Sequence, residues 1–234
     1  MRSKALFAFL LIFIAGTAMA GSKPVLAVNE FKNETSAAWW YGGAGRDLAD
    51  MLTNELAGTG KFKMVEREKL AAILDEQDLA DSGRVSKKTG AQLGKLTGAK
   101  YIVTGSLSAF ESDVKGTGGG VSFRGISLGG KKEDAYLAVD LRVIDTTTGE
   151  IEFTRTVEAR ASGGGLAVGV YRGGFGGNLS KYEKTPTGKA IRAVIMEISE
   201  YLSCAMVDQG DCMAEYQAKE SSRREKTKKS IKLD

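Results

Sequence analysis

The sequence has no histidine, only two prolines and only two cysteines. The missing imidazole excludes Ser-His-Asp and Cys-His nucleophilic catalysis, histidine acid–base chemistry and every metal site that needs a histidine ligand. Two cysteines cannot build a structural zinc site by themselves. No GxxxxGK[ST] phosphate loop occurs, and the glycines from Gly116 to Gly120 lack the strand–helix setting of a dinucleotide site. Carboxylates such as Glu66, Glu68, Asp75 and Glu76 fall on helical patterns beside Lys and Arg, the arrangement of a solvated helix face. The expectation is a protein that is not an enzyme and that uses no cofactor and no metal.

Glycine is present in excess: 30 of 234 residues. Half of it sits in two short windows. Gly116, Gly118, Gly119, Gly120, Gly125, Gly129 and Gly130 form one, and eight glycines from Gly163 to Gly177 form the other. Both windows alternate. Val121, Phe123, Ile126 and Leu128 are separated by small or polar residues in the first. Leu166, Val168 and Val170, followed by Phe175, repeat the pattern in the second. Alternation over short Gly-punctuated strands is the sequence signature of transmembrane β-hairpins, in which one face meets lipid and the other water. The same pattern also suits flexible loops or the hairpins of a soluble sheet. Two hairpins give only four strands, fewer than the eight of the smallest single-chain barrels. Membrane hairpins here would therefore have to close a barrel shared among subunits.

The chain begins with the three parts of a secretory signal over residues 1–20. Arg2 and Lys4 supply the positive start, Leu6 to Ile14 the apolar run, and Ala18-Met19-Ala20 the cleavage site. The apolar run is too short to span a bilayer as a helix. Export permits a disulfide between Cys204 and Cys212, which would staple the last helix to the segment after it; buried free thiols are the alternative. The sequence charge of +4 falls to +2 without the signal. A basic polar tail, residues 219–234, carries a local +4 and reads as disordered or frayed helix, leaving the body slightly acidic.

Residues 21–218 read as one domain. Val25 begins a strand continuing to Phe31, and Leu48, Met51, Leu52 and Leu56 mark a helix ended by Gly58-Thr59-Gly60. Phe62 to Val65 alternates as a strand, and Leu70, Ile73, Leu74 and Leu79 mark a second helix. Ser86 caps an expected third helix with Leu93 and Leu96 inward and Gly98 as its stop. A strand follows from Tyr101 to about Phe110. Ala135 to Val143 alternates without a break, Asp145 to Gly149 is a turn signal, and Ile151 to Val157 returns as the partner strand. Pro186 opens a long helix with Ile191, Val194, Ile195, Ile198 and Leu202 inward. The hairpin insertions are placed at about 112–136 and 158–182.

The run from Ser106 to Gly116, the run from Ala138 to Ile151, Gly169-Val170-Tyr171-Arg172, and the spacing of Tyr182, Thr185 and Pro186 together resemble the CsgG/HfaB family of curli secretion channels. The resemblance implies an α+β fold: a periplasmic α/β sandwich domain with two Gly-rich hairpins that assemble with those of other subunits into a shared transmembrane β-barrel. It implies a ring-shaped homo-oligomer, nonameric as in the family. The partners it implies are outer-membrane lipid and an unfolded secreted protein substrate, with no nucleic acid. Such a pore conducts by diffusion and uses no nucleotide. Members of this family carry an acylated Cys at the mature start; here no Cys precedes Cys204, so membrane hold is expected from the barrel. The family's pore is narrowed by a loop after the first strand. The corresponding loop, Lys32 to Gly45, holds Trp39, Trp40 and Tyr41, which would either line a pore constriction or be buried at a subunit interface. The alternative function is a soluble periplasmic scaffold or activator that uses the same domain without spanning the membrane.

Overall fold

A computed structural model describes residues 22–67, 69–116, 122–123, 126–127, 131–162, 179 and 184–230. Its centre is a mixed sheet. Strand β1 (Val25–Val28) is a four-residue apolar run, buried over its last three residues and flanked by parallel neighbours on both sides. Such a run, without polar alternation, is what a doubly flanked parallel strand requires. The neighbours are β3 (Lys63–Met64) and β4 (Tyr101–Gly116). Beyond β4 the sheet becomes antiparallel through β7 (Lys131–Asp145) and β8 (Ile151–Ser162), giving the order β3-β1-β4-β7-β8.

The first strand is interrupted, not continuous to Phe31 as its composition suggests. Chain pairing with β4 resumes only at β2 (Lys32–Asn33). The break has a packing cause. The Phe31 N–H donates to the Gly45 carbonyl at 3.1 Å, and the Phe31 ring lies over Gly105. A Cβ on Gly105 would meet that ring at 2.3 Å, and one on Gly45 would meet the Phe31 carbonyl at 2.2 Å. Both glycines are there because the space above them is filled.

Helix α1 (Ala44–Thr59) buries Leu48, Met51, Leu52 and Leu56 and stops at Gly60, whose φ of 67° is the left-handed conformation that favours glycine. Helix α3 (Pro186–Ser203) starts where the sequence indicates. Pro186 occupies its first turn and the Thr185 hydroxyl accepts from the Gly188 N–H at 3.1 Å. Its Ile191, Val194, Ile195, Ile198 and Leu202 are all buried. Helices α1 and α3 pack together on one face of the sheet, and that layer holds the core.

The expected third helix is absent. Helix α2 (Leu70–Asp81) is followed by turns and irregular chain to Lys100. Ser86 caps a single turn only, its carbonyl accepting from the Thr89 and Gly90 N–H groups. Gly90, Gly94 and Gly98 recur every four residues, and Gly94 has φ +70°, so propagation beyond that turn is opposed. Leu93 and Leu96 are exposed, not inward. The tail is also different from its reading: residues 219–230 are the continuous end of α4 (Asp211–Ser230), which follows a five-residue π turn at Cys204–Asp208.

Candidate functional site

Three antiparallel strands carry the chain toward the two Gly-rich windows. β4 and β7 pair continuously from Tyr101↔Asp145 to Gly116↔Lys131, and β7 pairs β8 from Ile144↔Ile151 to Asp134↔Ser162. The β7–β8 turn is closed by Asp145, whose Oδ1 accepts from the Thr147 N–H at 2.7 Å and the Thr148 N–H at 3.3 Å. These donors, the Thr147 N–H foremost, hold the Asp145 carboxyl below the usual range. β4 bulges between Leu107 and Ala109. Before the bulge Val103, Gly105 and Leu107 lie on the helix-covered face; after it Phe110 does.

Within the first window β5 (Ser122–Phe123) and β6 (Ile126–Ser127) pair antiparallel, Phe123 opposite Ile126 and Ser122 opposite Ser127. The pairing sets apolar against apolar and polar against polar, and the chain reverses between the two strands. Of the expected lipid-facing residues, Phe123 and Ile126 therefore share one rung. Val121, Leu128, Leu166, Val168, Val170 and Phe175 lie outside the described residues, as does the signal segment.

The aromatic loop is ordered by its own polar side chains. Asn33 Oδ1 accepts from both the Thr35 N–H and the Thr35 hydroxyl, which in turn accepts from the Ala37 N–H. The Tyr41 hydroxyl donates to Asp47 on α1. Trp39 is 4% exposed and belongs to the core of its own protomer, edge-on to Phe110 at 6.0 Å and tilted against Trp40 at 5.4 Å. Trp40 and Tyr41 are half-buried against the same core. Trp39 thus takes a place that neither sequence reading gave it: it wedges the loop to β4 just after the bulge.

At the opposite edge, Cys204 and Cys212 form a disulfide with Cα atoms 6.1 Å apart. It joins the end of α3 to the start of α4. Sequence reading missed what lies beside it. Arg155 on β8 has its guanidinium carbon 5.1 Å from the Tyr201 ring and 4.7 Å from the Tyr216 ring, and its Nη1 donates to the Tyr216 carbonyl at 3.2 Å. The two rings meet edge to face at 5.3 Å. Burial pushes the Tyr216 hydroxyl up to about 12, with Glu197 and Glu200 adding and Arg155 opposing. A signal existed: Arg155 stands between Phe153 and Val157 on the apolar parity of β8, where an arginine needs a partner. Further along α4, Glu220 accepts from Arg223 at 2.7 and 2.9 Å and from Arg224 at 2.7 Å. Those bonds, Arg223 first, hold its carboxyl down at about 2.

The sheet face away from the helices carries a polar cleft of about 400 Å³ with Glu30, Lys32, Glu34, Asp140 and Arg142 in its walls. The charges there are of both signs. Among the described residues no cluster of acidic or sulfur side chains could hold a metal ion. No described helix is long and apolar enough to cross a membrane. The carboxylates Glu66, Asp75 and Glu76 lie on or beside α2 at the surface.

The family described as curli production assembly/transport component CsgG matches the chain over residues 12–231. The curli production assembly/transport component CsgG of Escherichia coli K12 is 33% identical over 105 residues, 43% of this chain and 38% of that protein. The Salmonella typhimurium counterpart matches to the same extent, so the aligned part spans well under half the length of these curated relatives. A candidate lipoprotein of Neisseria meningitidis serogroup B is 30% identical over 198 residues, 81% of this chain and 79% of that protein. Among solved structures, a hypothetical protein of Chlamydia trachomatis covers 80% of this chain and 99% of its own at 13% identity and a TM-score of 0.48. The PelC dodecamer of Paraburkholderia phytofirmans covers 78% and 86% at 15% identity and a TM-score of 0.36.

Proposed function

The chain belongs to the CsgG family of curli production assembly/transport components, and from that premise we propose that it is an outer-membrane, nucleotide-independent secretion channel, or a component of one, for unfolded extracellular protein such as curli-like fibre subunits. The observation that carries the reading is the antiparallel ladder of β4 and β7, which runs out of the core to Gly116 and Lys131 and is succeeded by the β5–β6 reversal. Each insertion, 112–136 and 158–182, holds 25 residues. That length suits two spanning strands of about nine to eleven residues and a turn. Four such strands cannot close a barrel alone, so subunits form a ring and each contributes both hairpins. The α/β body stays on the periplasmic side, and the chain performs no covalent chemistry. Unfolded substrate passes down the shared lumen by diffusion.

Expression of the full chain in a Gram-negative host, followed by carbonate extraction and imaging of detergent-purified particles, tests this. The expected outcome is a carbonate-resistant ring with an axial opening. A monomer that stays in solution without detergent and washes off with carbonate would instead assign the soluble periplasmic scaffold.

A further inference from the structure

Four contacts fix how α4 runs. Tyr216 meets Arg155 and Arg223 meets Glu158 at 3.7 Å, so α4 advances alongside β8 in the same direction. The seven residues between the helix contacts rise about 10 Å, and the three between the strand contacts also rise about 10 Å. Lys219 meets Glu197 at 3.5 Å and Tyr216 meets Tyr201, so α4 is antiparallel to α3. Extending from the Lys219–Glu197 contact, the end of α4 at Ser230 and the start of α3 at Pro186 both lie about 16 Å further on. The end of β8 at Ser162 lies at nearly the same level, about 18 Å on. One end of the body thus gathers the points where the second insertion leaves, at Ser162, and returns, before Lys184.

That end is rich in cations. Lys226, Lys228 and Lys229 crowd the last turns of α4, all exposed, with Glu225 as the nearby carboxylate, 3.9 Å from Lys229. Lys184 precedes α3 and is exposed. On the first insertion the register sets Lys115 opposite Lys132. Asp113, Glu133 and Asp134 lie on the body side of that rung.

We propose that these lysines form a collar that binds the phosphate groups of anionic lipid at the membrane surface where the hairpins enter the bilayer. This rests on the channel reading above. The α4 helix, tied to β8 and stapled to α3, is the arm that sets the collar's height, and the ligand is the phosphodiester of the inner-facing leaflet.

The test uses the full chain, purified in detergent and mixed with vesicles of neutral phosphatidylcholine, or of phosphatidylcholine with 30% phosphatidylglycerol. The triple variant K226Q/K228Q/K229Q changes only exposed side chains; its fold is checked by circular dichroism. The expected result is preferential association with the anionic vesicles that weakens with salt and drops by about fivefold per lysine removed. Equal association with both vesicles, or an unchanged preference in the triple variant, overturns the collar. Release by inorganic phosphate, but not by chloride of equal ionic strength, would make a free anion the ligand and also overturns it. Carbonate resistance is scored separately in the same samples. A retained lipid preference with complete carbonate release would support the collar while removing the channel.

Discussion

Helices α3 and α4 are neighbours of similar length joined by a disulfide, yet they are held in opposite ways. α3 buries eleven residues against the sheet and α1. α4 buries only Tyr216 and is held by the Cys204–Cys212 bridge, the Arg155 stack and a few ion pairs. Apolar burial is non-directional and shared by many contacts, so α3 depends on no single residue. Directional contacts are few, so α4 should detach in steps. The contrast teaches where the body is rigid and where an appended arm can be tuned.

The sharpest test of that contrast cuts into α3. Ile195→Ala should cost about 2–5 kcal/mol in urea unfolding, because a fully buried side chain leaves a cavity. Breaking the disulfide with the double change Cys204→Ser and Cys212→Ser should cost less, about 2–3 kcal/mol for so short a loop. Hydrogen exchange should then speed across residues 211–230 and stay slow in α3; equal loosening of both helices would erase the distinction. Arg155→Ala removes two ring stackings and one hydrogen bond. We expect a loss of about 1–2 kcal/mol, with faster exchange again confined to α4.

Acid provides a gentler probe. The Glu220 carboxyl is held down at about 2 when folded, below its unfolded value, so its contribution is complete above about pH 5 and fades as pH falls toward 2. Helix signal from the end of α4 should decline over that window in wild type and show no such step in Glu220→Gln. The smallest effect is expected at Leu74 on α2, 43% exposed, where Leu74→Ala should change stability by less than about 0.5 kcal/mol.

The elements legible in the sequence are those whose local and tertiary signals agree. The Gly60 stop of α1, the Thr185-Pro186 start of α3 and the Asp145 turn are each specified by a residue whose own backbone or side chain does the work. Legibility fails where a local signal has no tertiary partner. Leu93 and Leu96 have helical spacing, but both stay about half exposed and three glycines oppose a helix there. It fails again where a tertiary partner overrides composition. The polar end of α4 reads as frayed, yet Arg223 finds Glu158 on β8 and Glu220 on its own helix. Trp39 is the third case. A sequence cannot say that a loop aromatic meets Phe110, because that contact depends on the bulge that turns Phe110 inward.

The bulge at Ser108 has a wider consequence. A strand keeps its two faces by counting in twos, and one extra residue shifts the count by half a period. Because Ser108 is left unpaired, everything distal along β4 keeps the face set by its β7 partner. Deleting that single residue would restore a regular ladder in which Ala109 follows Leu107 and Phe110 still stands opposite Leu137, so every later face is kept. Length changes beyond it should be tolerated in even steps and rejected in odd ones. The bulge is thus the device by which β4 holds one odd residue without turning Phe110 away from the core.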